Sequence, residues 1–383
     1  MIIFLAEMQD CSNIYVCGPT VYSDIHIGHM RVYIMADLLK RINPECKLFV
    51  NITDIDDKIL ELKADTKYYT EQFMNLCSHS NIHFDEVIKV SESLPLIREF
   101  VDKMILHANT DDQGIKLIIS NELHDDYNIF NHPSAEPDKG FYIWKTDDVN
   151  TEYSQLGRPG WHTECAAFID KLNNHNSLLY HVGGIDLQFT HHTNENIQYL
   201  IVNGKPISKN WIHVGHVLTN GVKMSKSLGN VINASDIDPN ILRLLYLSVN
   251  YSDNIDVTMK LLTNYTKIWN NILKRIFSGV KIPLRFPKFH IIDNMNPLMC
   301  KQMEFMNTVN DLSSSEQLIN YLESLGFSIP KLSRTELMLI QSRSLIREIA
   351  KTQVTNQDER NLLFDLTDYI RDELLNHHEW LED

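Results

Sequence analysis

The sequence predicts an α/β protein built on a parallel sheet, with a segment inserted between two halves of that sheet and a helical region after it. Three observations predict this class. Short apolar runs stop at loops that contain glycine or proline. One such run is followed by a helical pattern and then a second apolar run, which is the order of a βαβ unit. After about residue 256 the apolar residues recur at helical spacing.

The first βαβ unit lies between residues 14 and 50. Residues 14–17 form an apolar run that Gly18-Pro19 stops, which is typical of a buried strand entering a loop. Apolar residues at helical spacing then continue to Pro44, and residues 47–50 give the next strand. Ligands of such sheets bind beyond the carboxyl ends of the strands, so we expect the loop after residue 17 to bind a ligand.

The rest of the chain is divided by composition. Residues 81–150 are polar and loop-like, so we predict an insertion there, and the sheet is expected to resume at 178–182 and 211–217. Beyond residue 256 we predict helices, interrupted by a linker with prolines at 282–297.

Length, charge and cysteine content exclude several classes of protein. A chain of 383 residues suggests more than one domain, and its net charge of −15 argues against coating DNA. No stretch has the roughly 18 uninterrupted apolar residues of a membrane helix, and the start lacks a secretory signal, so a cytoplasmic protein without membrane contact is expected. The six cysteines lie far apart, so no disulfide framework is predicted. Residues 257–292 hold seven basic and no acidic side chains, so we expect an anionic partner there, with contacts from Lys274 and Arg275.

The loop after the first strand carries a candidate phosphate site. His26 and His29 are three residues apart at the predicted start of a helix, where free backbone N–H groups and the helix dipole attract anions. Gly28 between them would let a nucleotide approach the backbone closely, and Gly18 and Thr20 precede them in the same loop. Two histidines at this spacing, taken alone, are more often an ordinary surface or core pair.

A second candidate phosphate site follows the run 211–217. Lys223 and Lys226 are three residues apart in a loop that also holds Ser225, Ser227 and Gly229. Two such lysines can close over a triphosphate and neutralise charge as pyrophosphate leaves, although a run of this kind is alone more often a solvated surface.

Thiol, imidazole and carboxylate side chains suggest a metal site. Cys17 ends the first strand, Cys165 lies near a Gly-Arg-Pro-Gly-Trp-His run, and His191 stands four residues before Glu195. Residues at this spacing share a helix face, and two thiolates, an imidazole and a carboxylate are ligands that zinc accepts. His192 is also compatible with a helix that carries Glu195, and the spacing alone leaves both histidines open.

The paired histidine and lysine signatures resemble those of class I aminoacyl-tRNA synthetases. Further segments, among them residues 51–58, 160–162, 181–186 and 223–227, closely resemble cysteinyl-tRNA synthetases. The resemblance implies that Cys17, Cys165, His191 and Glu195 hold zinc, and that the zinc selects the substrate thiolate.

The resemblance also implies the fold and the activity. It implies a Rossmann-like catalytic core in two halves, 1–80 and 151–255, with a connective insertion at 81–150 and a reduced helical tRNA-binding domain at 256–383. The implied activity is that of a cysteine–tRNA ligase, with L-cysteine, ATP (with magnesium) and tRNA(Cys) as partners of a monomer. His26, His29, Lys223 and Lys226 would contact the phosphates.

Four further residues are assigned supporting roles on weaker grounds. Gly184 and Asp186 follow the run 178–182, and we expect Asp186 to bind a ribose hydroxyl, although it can equally cap a helix. Trp161 is expected to wall the amino-acid pocket, and Thr53 to support it; an ordinary core tryptophan and a helix cap are the alternatives.

Three departures from the family leave alternatives open. Thr193 stands where the family usually has glutamate, the insertion is short, and the chain stops where bacterial relatives continue into an anticodon-reading segment. A zinc-dependent ligase that joins cysteine to an amino sugar, or a non-catalytic paralogue that binds tRNA or cysteine, would share most of these features. The basic segment 257–292 favours tRNA, and the intact signature motifs favour catalysis.

Overall fold

The computed structural model describes residues 13–120, 123–133, 140–146, 157–225, 228–278, 284–286, 296–312 and 314–375. The chain divides into two compact units, which are described separately here. Unit 1 comprises Met1–Leu218, Val222–Asp236 and Tyr251–Ile255, and unit 2 comprises Thr219–Gly221, Ile237–Asn250 and Asp256–Asp383.

The strands are short and lie mostly in unit 1. They are β1 (Ile14–Val16), β2 (Leu48–Ile52), β3 (Glu86–Lys89), β4 (Ala108–Asp111), β5 (Gly114–Leu117), β6 (Phe141–Lys145), β7 (Arg158–Pro159), β8 (Leu178–Gly184), β9 (Ser208–Val214), β10 (Val217–Thr219), β11 (Val222–Lys223) and β12 (Ile255–Asp256).

Helices occur in both units. They are α1 (Ile27–Ile42), α2 (Asp57–Leu62), α3 (Thr66–His79), α4 (Leu94–Asp102), α5 (His124–Tyr127), α6 (Trp161–Leu172), α7 (Thr193–Asn203), α8 (Pro239–Leu247), α9 (Met259–Ser278), α10 (Pro297–Asp311), α11 (Ser315–Ser324), α12 (Arg334–Thr352) and α13 (Gln357–Leu375).

The main sheet of unit 1 is parallel throughout. Its order is β3-β2-β1-β8-β9, and each neighbouring pair runs in the same direction. The chain moves outward from β1 through β2 and β3 and then returns to the other side of β1 with β8. The order of the strands therefore reverses at β1, which is where ligands bind in sheets of this class. The predicted α/β fold with a parallel sheet is confirmed.

Burial explains why the central strands form. Every residue of β1 and β2 is buried, including Asn51, because helices cover both faces of a parallel sheet. Helix α1 begins at a reciprocal cap: the His29 N–H donates to His26 Nδ1, and the His26 N–H donates to His29 Nδ1, both at 3.3 Å.

A second, antiparallel sheet interrupts the main one. Its order is β4-β5-β6-β7, and it lies between β3 and α6 in the sequence. Strand β3 is part of the main sheet, although it falls within residues 81–150, where the sequence analysis places the insertion. The division into 1–80, 81–150, 151–255 and 256–383 stays a prediction.

Unit 2 is helical, with side chains that tie helix ends together. Gln302 of α10 donates to the carbonyl oxygens of Tyr246 at 2.8 Å and Val249 at 2.6 Å, at the end of α8. Arg275 of α9 is buried and donates to the carbonyls of Val309 and Leu312. The expectation that Arg275 contacts an anionic partner is therefore wrong, because its guanidinium is used inside the unit.

None of the described helices is both long enough and apolar enough to cross a membrane. The five described cysteines, Cys17, Cys46, Cys77, Cys165 and Cys300, are all free thiols.

Candidate functional site

A cavity of about 340 Å³ opens at the carboxyl ends of β1, β8 and β9. Twelve of the predicted site residues line it: Cys17, Gly18, Thr20, His26, Gly28, His29, Trp161, Cys165, Gly184, Asp186, His191 and Lys223. Thr53 and Glu195 are buried behind its wall, and Lys226 lies outside the described residues. The structure thus gathers residues that are up to about two hundred positions apart in the sequence.

The two signature motifs meet at the start of α1. Ile27 N–H donates to the carbonyl of Ile232, and His26 pairs with Asn233 in a short antiparallel bridge. A Cβ at position 28 would lie 3.1 Å from the methyl carbon of Met224, which belongs to the lysine motif. Gly28 therefore matters for the contact between the motifs as well as for access to the backbone.

The two motif histidines are stacked on each other. Their ring centroids are 3.6 Å apart with an interplanar angle of 20°. Their Nδ1 atoms accept the capping hydrogen bonds of α1. Each ring therefore has a fixed orientation at the cavity wall, at the positive end of the helix.

Asn51 fixes the loop after β1. Its side-chain oxygen accepts from the Gly18 N–H at 2.7 Å and from the Tyr15 hydroxyl at 3.0 Å, and its amide nitrogen donates to Thr53 Oγ1 at 3.1 Å. A Cβ at position 18 would lie 1.6 Å from the Asn51 carbonyl oxygen, so only glycine fits there. No role for Asn51 is predicted from the sequence. The signal that marks this residue is its position as a polar residue inside an apolar strand.

Thr53 continues this network away from the cavity. Its hydroxyl donates to Glu164 Oε2 at 2.8 Å, and both residues are 1% exposed. Burial and the neighbouring Cys165 hold the pKa of Glu164 well above its ordinary value, although the hydrogen bond from Thr53 lowers it. Thr53 therefore contacts Glu164 behind the cavity wall, and its support of the amino-acid pocket stays a prediction.

Lys223 and Asp186 form an ion pair across the cavity. Lys223 Nζ lies 2.8 Å from Asp186 Oδ2. Burial raises the pKa of Asp186, but the hydrogen bond and the charge of Lys223 lower it, and the net value is below the ordinary one. The cavity wall therefore carries a cationic and an anionic side chain next to each other.

Four buried donors converge at the deep end of the cavity. One donor atom from each of Cys17, Cys165, His191 and Glu195 lies within 4.8 Å of the other three, and all four residues are buried. Cys17 follows β1, Cys165 is on α6, His191 lies two residues before α7, and Glu195 is in the first turn of α7. Two thiols, an imidazole and a carboxylate in this arrangement fit a zinc ion.

Opposite charges already meet within this group. His191 Nε2 lies 2.6 Å from Glu195 Oε1. Burial lowers the pKa of His191, but Glu195 and Cys165 raise it, to about 10. Burial raises the pKa of Glu195, and the charges of His181 and His191 lower it to well below its ordinary value. The carboxylate is therefore ionised and ready to bind a cation.

Aromatic and histidine side chains surround these donors. Trp161, which is predicted to wall the amino-acid pocket, is 42% exposed, and its ring centroid is 4.2 Å from that of His191. Two further residues have no predicted role: His162 Nδ1 is 2.7 Å from His191 Nδ1, and Trp211 stacks on His181 with centroids 4.8 Å apart. Trp211 and His213 alternate on β9 and therefore share one face, which is a signal in the sequence; no such pattern marks His162 on α6.

Comparisons with known proteins agree with this architecture. Residues 4–267 match the family described as tRNA synthetases class I (C) catalytic domain. The cysteine–tRNA ligase of Mesomycoplasma hyopneumoniae strain 232 is 36% identical over 297 residues, 69% of this chain and 74% of that protein. The cysteine–tRNA ligase of Mycoplasma mycoides is 30% identical, over 94% of this chain and 85% of that protein.

Another relative is matched over a smaller share of its own length. The cysteine–tRNA ligase of Mycoplasmopsis pulmonis is 34% identical over 83% of this chain, but the match spans 55% of the relative's length. Among solved structures, Mycobacterium tuberculosis methionyl-tRNA synthetase in complex with methionyl-adenylate superposes with a TM-score of 0.53 at 13% identity. That match covers 94% of this chain and 88% of the other, and it supports the fold alone.

Proposed function

Because the chain belongs to the class I tRNA synthetase family, in the cysteine–tRNA ligase group, we propose that it charges tRNA(Cys) with L-cysteine. The observation that carries the proposal is a group of four buried donors of zinc type, three of which line the cavity that residues of both signature motifs also line. The donors suit recognition of a thiol, and the motifs suit binding of ATP.

The first step forms an adenylate. A carboxylate oxygen of cysteine attacks the α-phosphorus of ATP. The bond between this phosphorus and the oxygen that bridges to the β-phosphate breaks, and pyrophosphate leaves. No side chain acts as a nucleophile. His26 and His29 at the start of α1, with Lys223 and Lys226, would stabilise the negative charge that develops on the phosphates. Magnesium would accompany ATP.

The second step transfers the cysteinyl group. A hydroxyl of the 3′-terminal adenosine attacks the acyl carbon of the adenylate, and AMP leaves with the electron pair of the broken bond. Asp186 would accept a hydrogen bond from a ribose hydroxyl of ATP, and Trp161 would cover the amino-acid pocket.

Zinc is the proposed basis of selection. An ion held by Cys17, Cys165, His191 and Glu195 would bind the substrate sulfur as a thiolate, and the hydroxyl of serine is a much harder and less acidic ligand. Cysteine and serine differ in sulfur against oxygen. We expect the bond between zinc and the thiolate to separate the two by more than the ~1–3 kcal/mol that a missing methylene is worth in an apolar pocket.

Two other activities remain as outcomes of the same experiment: ligation of cysteine to an amino sugar, and binding of tRNA or cysteine without catalysis. Exposed lysines on α9 support tRNA as the partner, because Lys260 and Lys267 lie on the same side of this helix. A monomer in the cytoplasm, with unit 2 as the tRNA-binding part, completes the proposal.

The test is pyrophosphate exchange driven by cysteine, followed by aminoacylation of total tRNA. We expect exchange with cysteine and not with serine, loss of exchange after treatment with a chelator, and recovery with zinc. Cys165→Ser should lose exchange, whereas Cys300→Ser, at an exposed thiol outside the donors, should keep it. Exchange without charging of any tRNA would favour the sugar ligase, and a folded, zinc-loaded chain without exchange would favour the non-catalytic protein.

A further inference from the structure

The buried donors at the deep end of the cavity form two overlapping sets of possible metal ligands. The first donor set is Cys17, Cys165, His191 and Glu195, and the second donor set is Cys17, His181, His192 and Glu195. In each set the four donor atoms lie within 4.8 Å of one another. His181, His192 and Glu195 are all completely buried.

The carboxylate of Glu195 is divided between the two sets. Its Oε1 lies 2.6 Å from His191 Nε2, and its Oε2 contacts His181 Nε2. One oxygen thus faces each set, which is the arrangement of a carboxylate that bridges two cations.

Cys17 is shared in a similar way. Its sulfur lies 3.4 Å from His192 Nε2 and 3.7 Å from Glu195 Oε1. The sulfur therefore touches one residue that belongs to the second donor set alone and one that belongs to both sets.

Two of the three histidines in these sets, His191 and His192, are held as metal-binding histidines usually are. Such imidazoles generally use the second ring nitrogen to contact another polar group, which fixes the ring. His192 Nδ1 contacts His213 Nε2 at 2.8 Å, and His191 Nδ1 contacts His162 Nδ1 at 2.7 Å. His181 is fixed by stacking on Trp211 instead, with an interplanar angle of 19°.

His181 faces the second donor set through Nε2, which contacts Glu195 Oε2. Its other ring nitrogen, Nδ1, is buried without a hydrogen-bond partner among the described residues. A neutral imidazole that carries its proton on Nδ1 leaves the lone pair of Nε2 for an ion.

We propose that the second donor set is a second metal site, which binds a divalent ion of borderline softness such as Zn²⁺ or Co²⁺ and shares Cys17 and Glu195 with the first donor set. Two imidazoles, a thiolate and a carboxylate are ligands that suit these ions. Two thiolates and one carboxylate offset three of the four positive charges of two ions. The inference rests on the proposed function only for the ion in the first donor set.

The decisive measurement uses the unmodified chain. Protein that carries one zinc per chain is desalted and titrated with Co²⁺, with metal content measured by elemental analysis and cobalt followed by its absorption. We expect one further ion per chain, with the intense bands of tetrahedral cobalt and of cobalt–thiolate charge transfer. No uptake beyond one ion per chain, at a large excess of Co²⁺, would overturn the inference without any variant.

Variants then assign the ligands. His192→Asn and His181→Asn should weaken binding of the second ion by at least about 100-fold and leave the first bound, since loss of even an outer partner costs about 10- to 100-fold. His107→Asn, at an exposed histidine far from both sets in the sequence, is the matched control and should retain both ions. Folded His181 and His192 variants that still bind both ions tightly would contradict the assignment.

The failure of this inference is distinct from that of the proposed function. Zinc-dependent exchange with only one ion per chain under all conditions would leave the ligase and remove the second site. Two ions without any cysteine-dependent exchange would leave the second site and remove the ligase.

Discussion

Lys223 Nζ lies 2.8 Å from Asp186 Oδ2, so the residue predicted to bind phosphate and the residue predicted to bind ribose are paired with each other. Both side chains are about half exposed, at 55% and 49%. An exposed pair of this kind contributes little to stability. If the predicted roles hold, ATP would exchange each partner of this pair for one of its own groups.

Lys223→Ala should lower kcat for pyrophosphate exchange by about 100-fold, because a charge that stabilises the leaving phosphates is removed. The midpoint of thermal unfolding should change little, since an exposed pair is worth about 0–1 kcal/mol. Lys171→Ala, at an exposed lysine on α6, is the control and should change neither. A large loss of stability in Lys223→Ala would argue for a structural role instead.

Thr53→Val should reduce the free energy of unfolding by about 1–3 kcal/mol, because it leaves the buried Glu164 carboxyl without the hydroxyl that donates to it. Thr53→Ser keeps the hydroxyl and should lose much less. Urea denaturation compares the two variants. Equal stability of the valine and serine variants would show that the hydrogen bond to Glu164 contributes nothing.

Asp170 should make stability depend on pH in the acid range. Its carboxylate is 5% exposed and contacts Lys103, His175 and Asn203. Burial raises its pKa, but the hydrogen bonds from His175, Asn203 and Lys103 lower it below the ordinary value. As the pH falls below about 3.9, the ordinary pKa of an aspartate, Asp170 of the unfolded chain binds a proton before Asp170 of the native chain does. The free energy of unfolding therefore rises with pH between the folded and the unfolded pKa of this residue.

Asp170→Asn should therefore be less stable than the unmodified chain at pH 7 and should lose less stability on acidification through this window. The measurement is the denaturant midpoint between about pH 3 and pH 7. The contribution of Asp170 to stability is complete above its unfolded pKa and disappears as the pH falls through its folded pKa. Parallel pH curves for the two proteins would exclude a depressed pKa at this residue.

Lys260→Gln together with Lys267→Gln should weaken tRNA binding and flatten its dependence on salt. Both lysines are exposed, and a spacing of seven residues puts them on the same side of α9. Each lost phosphate contact should reduce the slope of log K against log[salt] by about 0.7–0.9. An unchanged slope at equal folding would mean that this side of α9 does not face RNA.

Arg275→Met should instead destabilise unit 2 by about 1–3 kcal/mol, because it leaves the carbonyls of Val309 and Leu312 without their donor. We expect a lower midpoint of thermal unfolding. The slope of log K for tRNA binding against log[salt] should stay unchanged when K is calculated for the folded fraction. A stable Arg275→Met with a flatter slope would restore Arg275 as an RNA contact.

The sequence predicted the sheet and the members of the site because both depend on local patterns. The runs 14–17 and 47–50 correspond to β1 and β2, and the predicted strand at 178–182 lies within β8. Residue type and spacing mark Cys17 as a candidate ligand but leave His191 and His192 open; the family resemblance favours His191, and the structure brings Cys17 and His191 together. The roles of Lys226 and of the domain boundaries remain predictions.

What the sequence missed depends on contacts over long separations. Asn51 holds the Gly18 backbone; a polar residue inside an apolar strand is visible in the sequence, but its partner 33 positions away is not. Arg275 looks like part of a basic surface in the sequence, and only the packing of α9 shows that its guanidinium is enclosed. The split contacts of Glu195 likewise require two strands and a helix in their final places.

The shared position of Cys17 and Glu195 sets an order of events during synthesis of the chain. The two residues are separated by 178 positions, and their side chains meet only in the folded unit. At roughly 5–20 residues per second, about 10–35 s pass on the ribosome between the emergence of the first and of the second. During that time the Cys17 thiol waits for the carboxylate it meets in the folded unit, and a pocket that holds an ion as proposed would be complete only after Glu195 has emerged.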